Sequence, residues 1–175
     1  MKKKWKASGI TDAQALAIGH LTINFNSMEQ ALEGFIGLIV SPRDFGLEKP
    51  LFSPLRFAAK LDVLKELVGA LSGHYVPTAE NHAAYSSFVS GTKDLISRGK
   101  ALNTFRNSLI HWRYDAGNQK IKVEVRAQEI EARSSEMNDV AIEMMARAVG
   151  VRTGDYSFSF GQQFQTHKPS SASLP

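Results

Sequence analysis

The chain has 175 residues, a net charge of +4 and no cysteine. That length suits one domain with one substantial core, and the absence of cysteine excludes a disulfide framework, a Cys-based zinc site and a thiol nucleophile. A positive balance this small, with Lys and Arg scattered rather than massed, is compatible with a nucleic-acid partner without requiring one.

The chain opens with a basic arm over residues 1–10 that includes Lys2, Lys3, Lys4 and Lys6. Thr11, Asp12 and Gln14 interrupt the apolar run that a signal peptide needs, and no stretch reaches the length of a membrane span. A soluble, cytoplasmic protein with no membrane partner is the expectation.

Thr11-Asp12-Ala13-Gln14 reads as a capping box. Ile18, Leu21, Phe25, Met28, Leu32, Phe35 and Ile39 then alternate at intervals of three and four. This seven-residue repeat predicts a long helix packed against others, and Ser41-Pro42 ends it. Glu29 lies at the edge of the stripe. It is either a half-solvated flank residue or a buried carboxylate facing Arg106. His20, near the boundary, is read as structural.

Residues 41–52 carry two prolines and a glycine and form a connection. Ser53-Pro54 supplies an N-cap followed by proline at the first helical position. Leu61, Leu64, Val68 and Leu71 make the apolar side of this second helix, which Ser72-Gly73 ends. Lys60, Asp62, Lys65 and Glu66 read as its solvated face.

Thr78 can cap a third amphipathic segment that starts near residue 80 and runs to His111. At about 100° per residue, Phe88, Leu95, Leu102 and Leu109 fall on one stripe, with Arg106 in its middle. Gly91 and Gly99 weaken a helix in isolation and suggest close approach of a neighbour. One long helix and two shorter ones broken near Ser90-Gly91 both fit. His74 and His82 have no further ligand at metal spacing, so no metal site is expected.

The segment ends on Arg106-Asn107-Ser108-Leu109-Ile110-His111. A guanidinium keeps its charge, so on an apolar face it needs a partner, a cavity or an interface. Asn107 and His111, four residues apart, share a neighbouring face. This trio is the constellation in the sequence suited to chemistry.

After His111 the pattern changes. Trp112-Arg113-Tyr114 can start a strand, Asp115-Ala116-Gly117-Asn118 has turn composition, and residues 120–126 alternate with Ile121, Val123 and Val125 on one side. A β-hairpin over about residues 112–127 is predicted. Ser134-Ser135 then opens a fourth helix with Val140, Met144, Met145 and Ala148, ending near Gly150. Tyr156, Phe158 and Phe160 alternate with small polar residues, which suits a short strand or an arm on a partner. Residues 157–175 are expected to be extended and partly disordered, leaving 11–156 as one helical domain.

An Arg, a polar residue, three more residues and a His near the end of a long third helix resembles the signature of the HEPN superfamily. The resemblance in helix order covers roughly residues 10–150 and the motif itself covers six residues. It implies a mainly all-α four-helix bundle with the hairpin inserted between the third and fourth helices. It also implies a metal-independent endoribonuclease, acting at a homodimer cleft and using the RNA's own 2′-hydroxyl as nucleophile, with no cofactor. In that scheme His111 moves the proton, Arg106 holds phosphate and its developing charge, and Asn107 orients the imidazole or donates to phosphate. Ser108, Trp112 and Arg113 are substrate-binding candidates, with Glu29 supporting Arg106. A toxin or defence effector with an antitoxin or regulatory partner is the cellular form of this expectation. The bulk of Trp112, where the family often has a small residue, is a departure that suits either base stacking or an obstructed cleft.

The competing expectation is a non-catalytic helical dimer that binds nucleotide, RNA or a protein through the same groove. Arg106 would then be a structural ion-pair residue, and His111 would cap the helix C-terminus, where a cation is favoured.

Overall fold

The structure is a computed structural model that describes residues 10–40, 51–74, 77–115 and 126–153. These residues form four long helices and no strand: α1 (Asp12–Val40), α2 (Phe57–His74), α3 (His82–Asp115) and α4 (Ala127–Thr153). The basic arm, the tail from residue 157 and Tyr156 lie outside the described residues.

Helix α1 starts where its capping box places it. Gln14 N–H donates to the Thr11 hydroxyl at 3.1 Å, and Thr11 N–H donates to Gln14 Oε1 at 2.9 Å. Its seven-residue repeat faces inward: Leu21, Phe25, Met28, Leu32, Phe35 and Ile39 are all buried, and Ile18 packs at the margin.

The contacts fix the direction of each helix. His20 meets Glu131, Asn24 meets Ser134 and Gly34 meets Met145. Numbers rise together in these pairs, so α1 and α4 run parallel. Phe25 lies against Phe57, and Glu29 and Glu33 against Lys60, so α2 runs the same way. Phe35 packs on Phe88 while Phe25 packs on Arg106, so α3 runs back against the other three. The helices touch around a square, in the order α1, α2, α3, α4 and back to α1.

The α1–α4 seam is built on small residues. With Asn24 opposite Ser134, seven-residue steps bring Ala17 level with Ala127, Ala31 with Ala141 and Leu38 with Ala148. Ala17, Ala31, Ser134, Ala141 and Ala148 are buried. Small side chains let two backbones approach closely, and a strict repeat of seven keeps the seam in contact as the helices coil left-handedly.

Three boundaries differ from expectation. Helix α4 begins at Ala127, and Ser134 lies within it as a buried seam residue rather than a cap. Serine favours N-caps in isolation, but the heptad through Ala127 and Ile130 extends the packed face one repeat further back. Helix α2 begins at Phe57, because Ser53-Pro54 sits in a turn closed by Leu55 N–H to Phe52 O at 2.9 Å. Helix α3 is continuous over 34 residues and ends at Asp115. Residues 112–114, expected to start a strand, and Asp115, expected in its turn, are therefore helical; residues 116–125 of the expected hairpin lie outside the described residues. The β preference of Trp and Tyr amounts to tenths of a kcal/mol, about the same as the cost of placing them in a helix. Each added residue of an existing helix also gains a hydrogen bond.

Lys60 is the other correction. Its spacing suggests a solvated face, but it is only 2% exposed. Its ammonium donates to Glu29 Oε1 at 2.6 Å and Glu33 Oε1 at 2.5 Å. Burial disfavours its charge, yet the two hydrogen-bonded carboxylates outweigh that, and its pKa lies above the ordinary lysine value.

Candidate active site at the end of helix α3

Phe88, Leu95, Leu102 and Leu109 turn one face of α3 into the core, and all four are buried. Arg106 follows Leu102 by one turn and is half-buried. Its guanidinium carbon lies 4.6 Å from the centroid of the Phe25 ring. The Phe25 ring in turn lies 5.0 Å from that of Phe57, the first residue of α2. Helix α2 thus starts beside the middle of α1, and the first turns of α1 and the last turns of α3 extend beyond it. Arg106 sits at that step.

The aromatic ring answers the question that the sequence posed about Arg106. A cation over a ring face is held by the ring quadrupole, and a planar guanidinium suits that geometry. The Arg106 charge is not cancelled there. Glu29, the expected partner, is bound by Lys60 instead, and among the described residues no carboxylate pairs with Arg106. Glu29, expected as either a flank residue or a support for Arg106, thus pairs with Lys60. The placement of α2 brings Lys60 to Glu29.

Asn107 lies beside Arg106 and accepts a hydrogen bond from Arg106 Nη1 through Oδ1 at 3.2 Å. Its carbonyl is used by Arg106, and its amide nitrogen has no acceptor among the described residues, so it can donate to an acceptor such as a phosphate oxygen. Ser108 is exposed, and Leu109 belongs to the core. His111 follows Asn107 by one turn of unbroken helix. The side chains of His111, Trp112 and Arg113 lie outside the described residues.

Several other cations are paired with carboxylates. Arg98 donates to both Glu143 carboxylate oxygens at 2.9 and 3.0 Å and lies near Asp94 and Glu136. Lys100 bonds Asp62 at 2.8 Å, and Arg133 bonds Glu136 at 2.9 Å. Unlike these, Arg106 lies on an aromatic ring and pairs with no carboxylate among the described residues, an arrangement that can bind an anion. Sequence reasoning found Arg106 but missed Phe25 as its platform, since Phe25 already had a place in the apolar repeat of α1.

Among the described residues no three acidic or imidazole groups gather to hold a metal ion. No described helix is long and apolar enough to cross a membrane. No family model, curated protein or solved structure matches the chain.

Proposed function

We propose that the chain is a metal-independent endoribonuclease of HEPN type, with Arg106 as phosphate anchor, Asn107 as auxiliary donor and His111 as proton-transfer group. The observation that carries it is the guanidinium of Arg106, without a carboxylate partner among the described residues, held on Phe25 beside Asn107, one turn before a histidine on the same helix. The RNA 2′-oxygen attacks the adjacent phosphorus and loses its proton. The bond to the 5′-oxygen breaks, and that oxygen takes up a proton. The products are a 2′,3′-cyclic phosphate and a 5′-hydroxyl. An imidazole titrates in the range needed for such transfers, and a guanidinium fork matches the phosphoryl oxygens as charge builds on them. Because Phe25 meets Arg106 within one chain, the site does not need a second copy to explain that residue's burial.

One observation favours the second reading, a non-catalytic binding module. The contact with Phe25 gives Arg106 a structural role whether or not any reaction follows.

The test is cleavage of a labelled single-stranded RNA in excess EDTA by wild type, His111→Ala and Arg106→Ala. Loss of a positioned acid–base group lowers the rate by about 10²- to 10⁴-fold. Equal rates from wild type and His111→Ala would assign the cleavage to a contaminant. Binding that depends on Arg106, without cleavage, hands the case to the binding module. A toxin or defence role is tested by growth on expression of wild type against His111→Ala.

A further inference from the structure

One side of α4 is apolar and open. Ile142, Met145 and Val149 recur at intervals of three and four residues, so they form one stripe along the last turns of the helix. They are 59%, 44% and 51% exposed, while Ala141, Met144 and Ala148 on the adjoining side are buried. Met145 fixes where the stripe lies. Its sulfur is 3.9 Å from the place that a Cβ would take on Gly34, so the stripe borders α1. Gly34 has no side chain of its own and leaves a shallow step there. Gln30, one turn before Gly34, and Asn138, one turn before Ile142, are exposed and uncharged. A stripe with these neighbours offers apolar area and no charge, so it suits an apolar segment rather than phosphate or an anionic lipid.

We propose that the C-terminal segment of the same chain covers this stripe, with Tyr156, Phe158 and Phe160 laid back along it. Helix α4 ends at Thr153, so the segment leaves from the end of the helix that carries the stripe. Gly154-Asp155 follows at once, and a glycine just past a helix end is the residue that turns a chain back. The three aromatic residues alternate with Ser157 and Ser159, so an extended chain puts all three rings on one side. From Tyr156 to Phe160 such a chain covers about 13 Å. From Ile142 to Val149 the helix covers about 10 Å. The two lengths match, with Tyr156 nearest Val149 and Phe160 nearest Ile142. Charge agrees, because Asp155 is the one charged residue between Gly154 and Phe164. Tethering selects this occupant over a separate molecule. A segment on so short a linker acts at roughly millimolar effective concentration, about a thousandfold above a partner at micromolar concentration. The contact is independent of the Arg106 site and of any reaction there.

The chain has no cysteine, so an engineered pair reports the contact without interference. Met145→Cys/Phe158→Cys in the full chain is oxidised at low micromolar concentration and compared with Met145→Cys/Ser170→Cys. The expected result is a disulfide within one chain that forms at least about 10-fold faster in the Phe158 pair, against the about 3-fold that its shorter loop alone gives. A second variant needs no cysteine. Tyr156→Ser/Phe158→Ser/Phe160→Ser is expected to uncover the stripe and at least about double the fluorescence of anilinonaphthalene sulfonate, with the helical circular dichroism unchanged. Disulfides that join two chains overturn the proposal and give the stripe to a second copy. So does a Phe158 pair no faster than loop length predicts, or dye binding that the serine changes leave equal or lower.

Discussion

The Asn24 side-chain amide donates to both the hydroxyl and the backbone carbonyl of Ser134, at 2.9 and 3.1 Å, across a seam of alanines. It is the polar contact inside an otherwise apolar repeat, and a polar residue at such a position fixes register, because a shifted pairing would leave its donors unmet. Asn24→Ala is expected to cost about 1–3 kcal/mol, since the buried Ser134 hydroxyl loses its partner. Asn24→Leu is expected to cost at least as much, because a seam shaped for small residues has no room for it. Urea denaturation of both variants measures this.

Lys60 holds two glutamates together at the α1–α2 contact, so Lys60→Met is expected to be among the most damaging single changes. Removing one partner of a buried ionic group costs about 3–5 kcal/mol, with the lower end fitting carboxylates that retain some water. The folded-state pKa of Lys60 is raised, so its contribution is complete below the ordinary lysine value and is lost only as the pH climbs through the higher folded value. Chemical denaturation of wild type and Lys60→Met across acidic, neutral and alkaline pH tests both statements.

The aromatic platform makes a separate prediction for Arg106. Phe25→Leu keeps a buried apolar side chain but removes the ring, with an expected loss of about 0.5–2 kcal/mol from the cation–π contact. RNA affinity should fall in Phe25→Leu even where the melting curve shows a folded protein. Arg106→Lys should also bind poorly, because an ammonium lacks the planar fork. Filter binding at two salt concentrations checks this, and unchanged binding in both variants would remove Arg106 from the site.

The two glycines of α3 should respond in opposite ways. A Cβ at Gly91 runs into the end of the Arg147 side chain, a flexible group held only by a 3.5 Å contact with Ser87 O. Arg147 can swing aside, so Gly91→Ala is expected to be neutral or to stabilise by up to about 1 kcal/mol through helix propensity. At Gly99 the Cβ meets both methyl carbons of Leu61 at 3.3 Å, and Leu61 is fully buried. Strain there should cancel or exceed the propensity gain. Thermal melts of the two variants are the measurement.

Much of the bundle was legible along the chain. The repeat from Ile18 to Ile39, the Thr11–Gln14 box and the stripe from Phe88 to Leu109 are local patterns, and a helix with one buried face writes its period directly into neighbouring residues. The position of Arg106 within that stripe was equally plain. Propensity misled at the ends. Ser134 resembled a cap and Trp112 to Tyr114 resembled a strand, because those preferences are small beside the packing of a repeat. Partners across the molecule were not written locally at all. Glu29 was read as either a flank residue or a partner of Arg106, and only the start of α2 beside Phe25 gave it Lys60 and left Arg106 to an aromatic ring. The sequence by itself determined most of the apolar positions that face inward on each helix, though not the buried Lys60 and Ser134, since that pattern depends on spacing of a few residues. The tertiary structure alone decided which helices run parallel and which charge meets which. Those depend on contacts between residues some thirty to over a hundred positions apart, such as Glu29 with Lys60 and Asn24 with Ser134, whose energies are felt only once the chain has closed on itself.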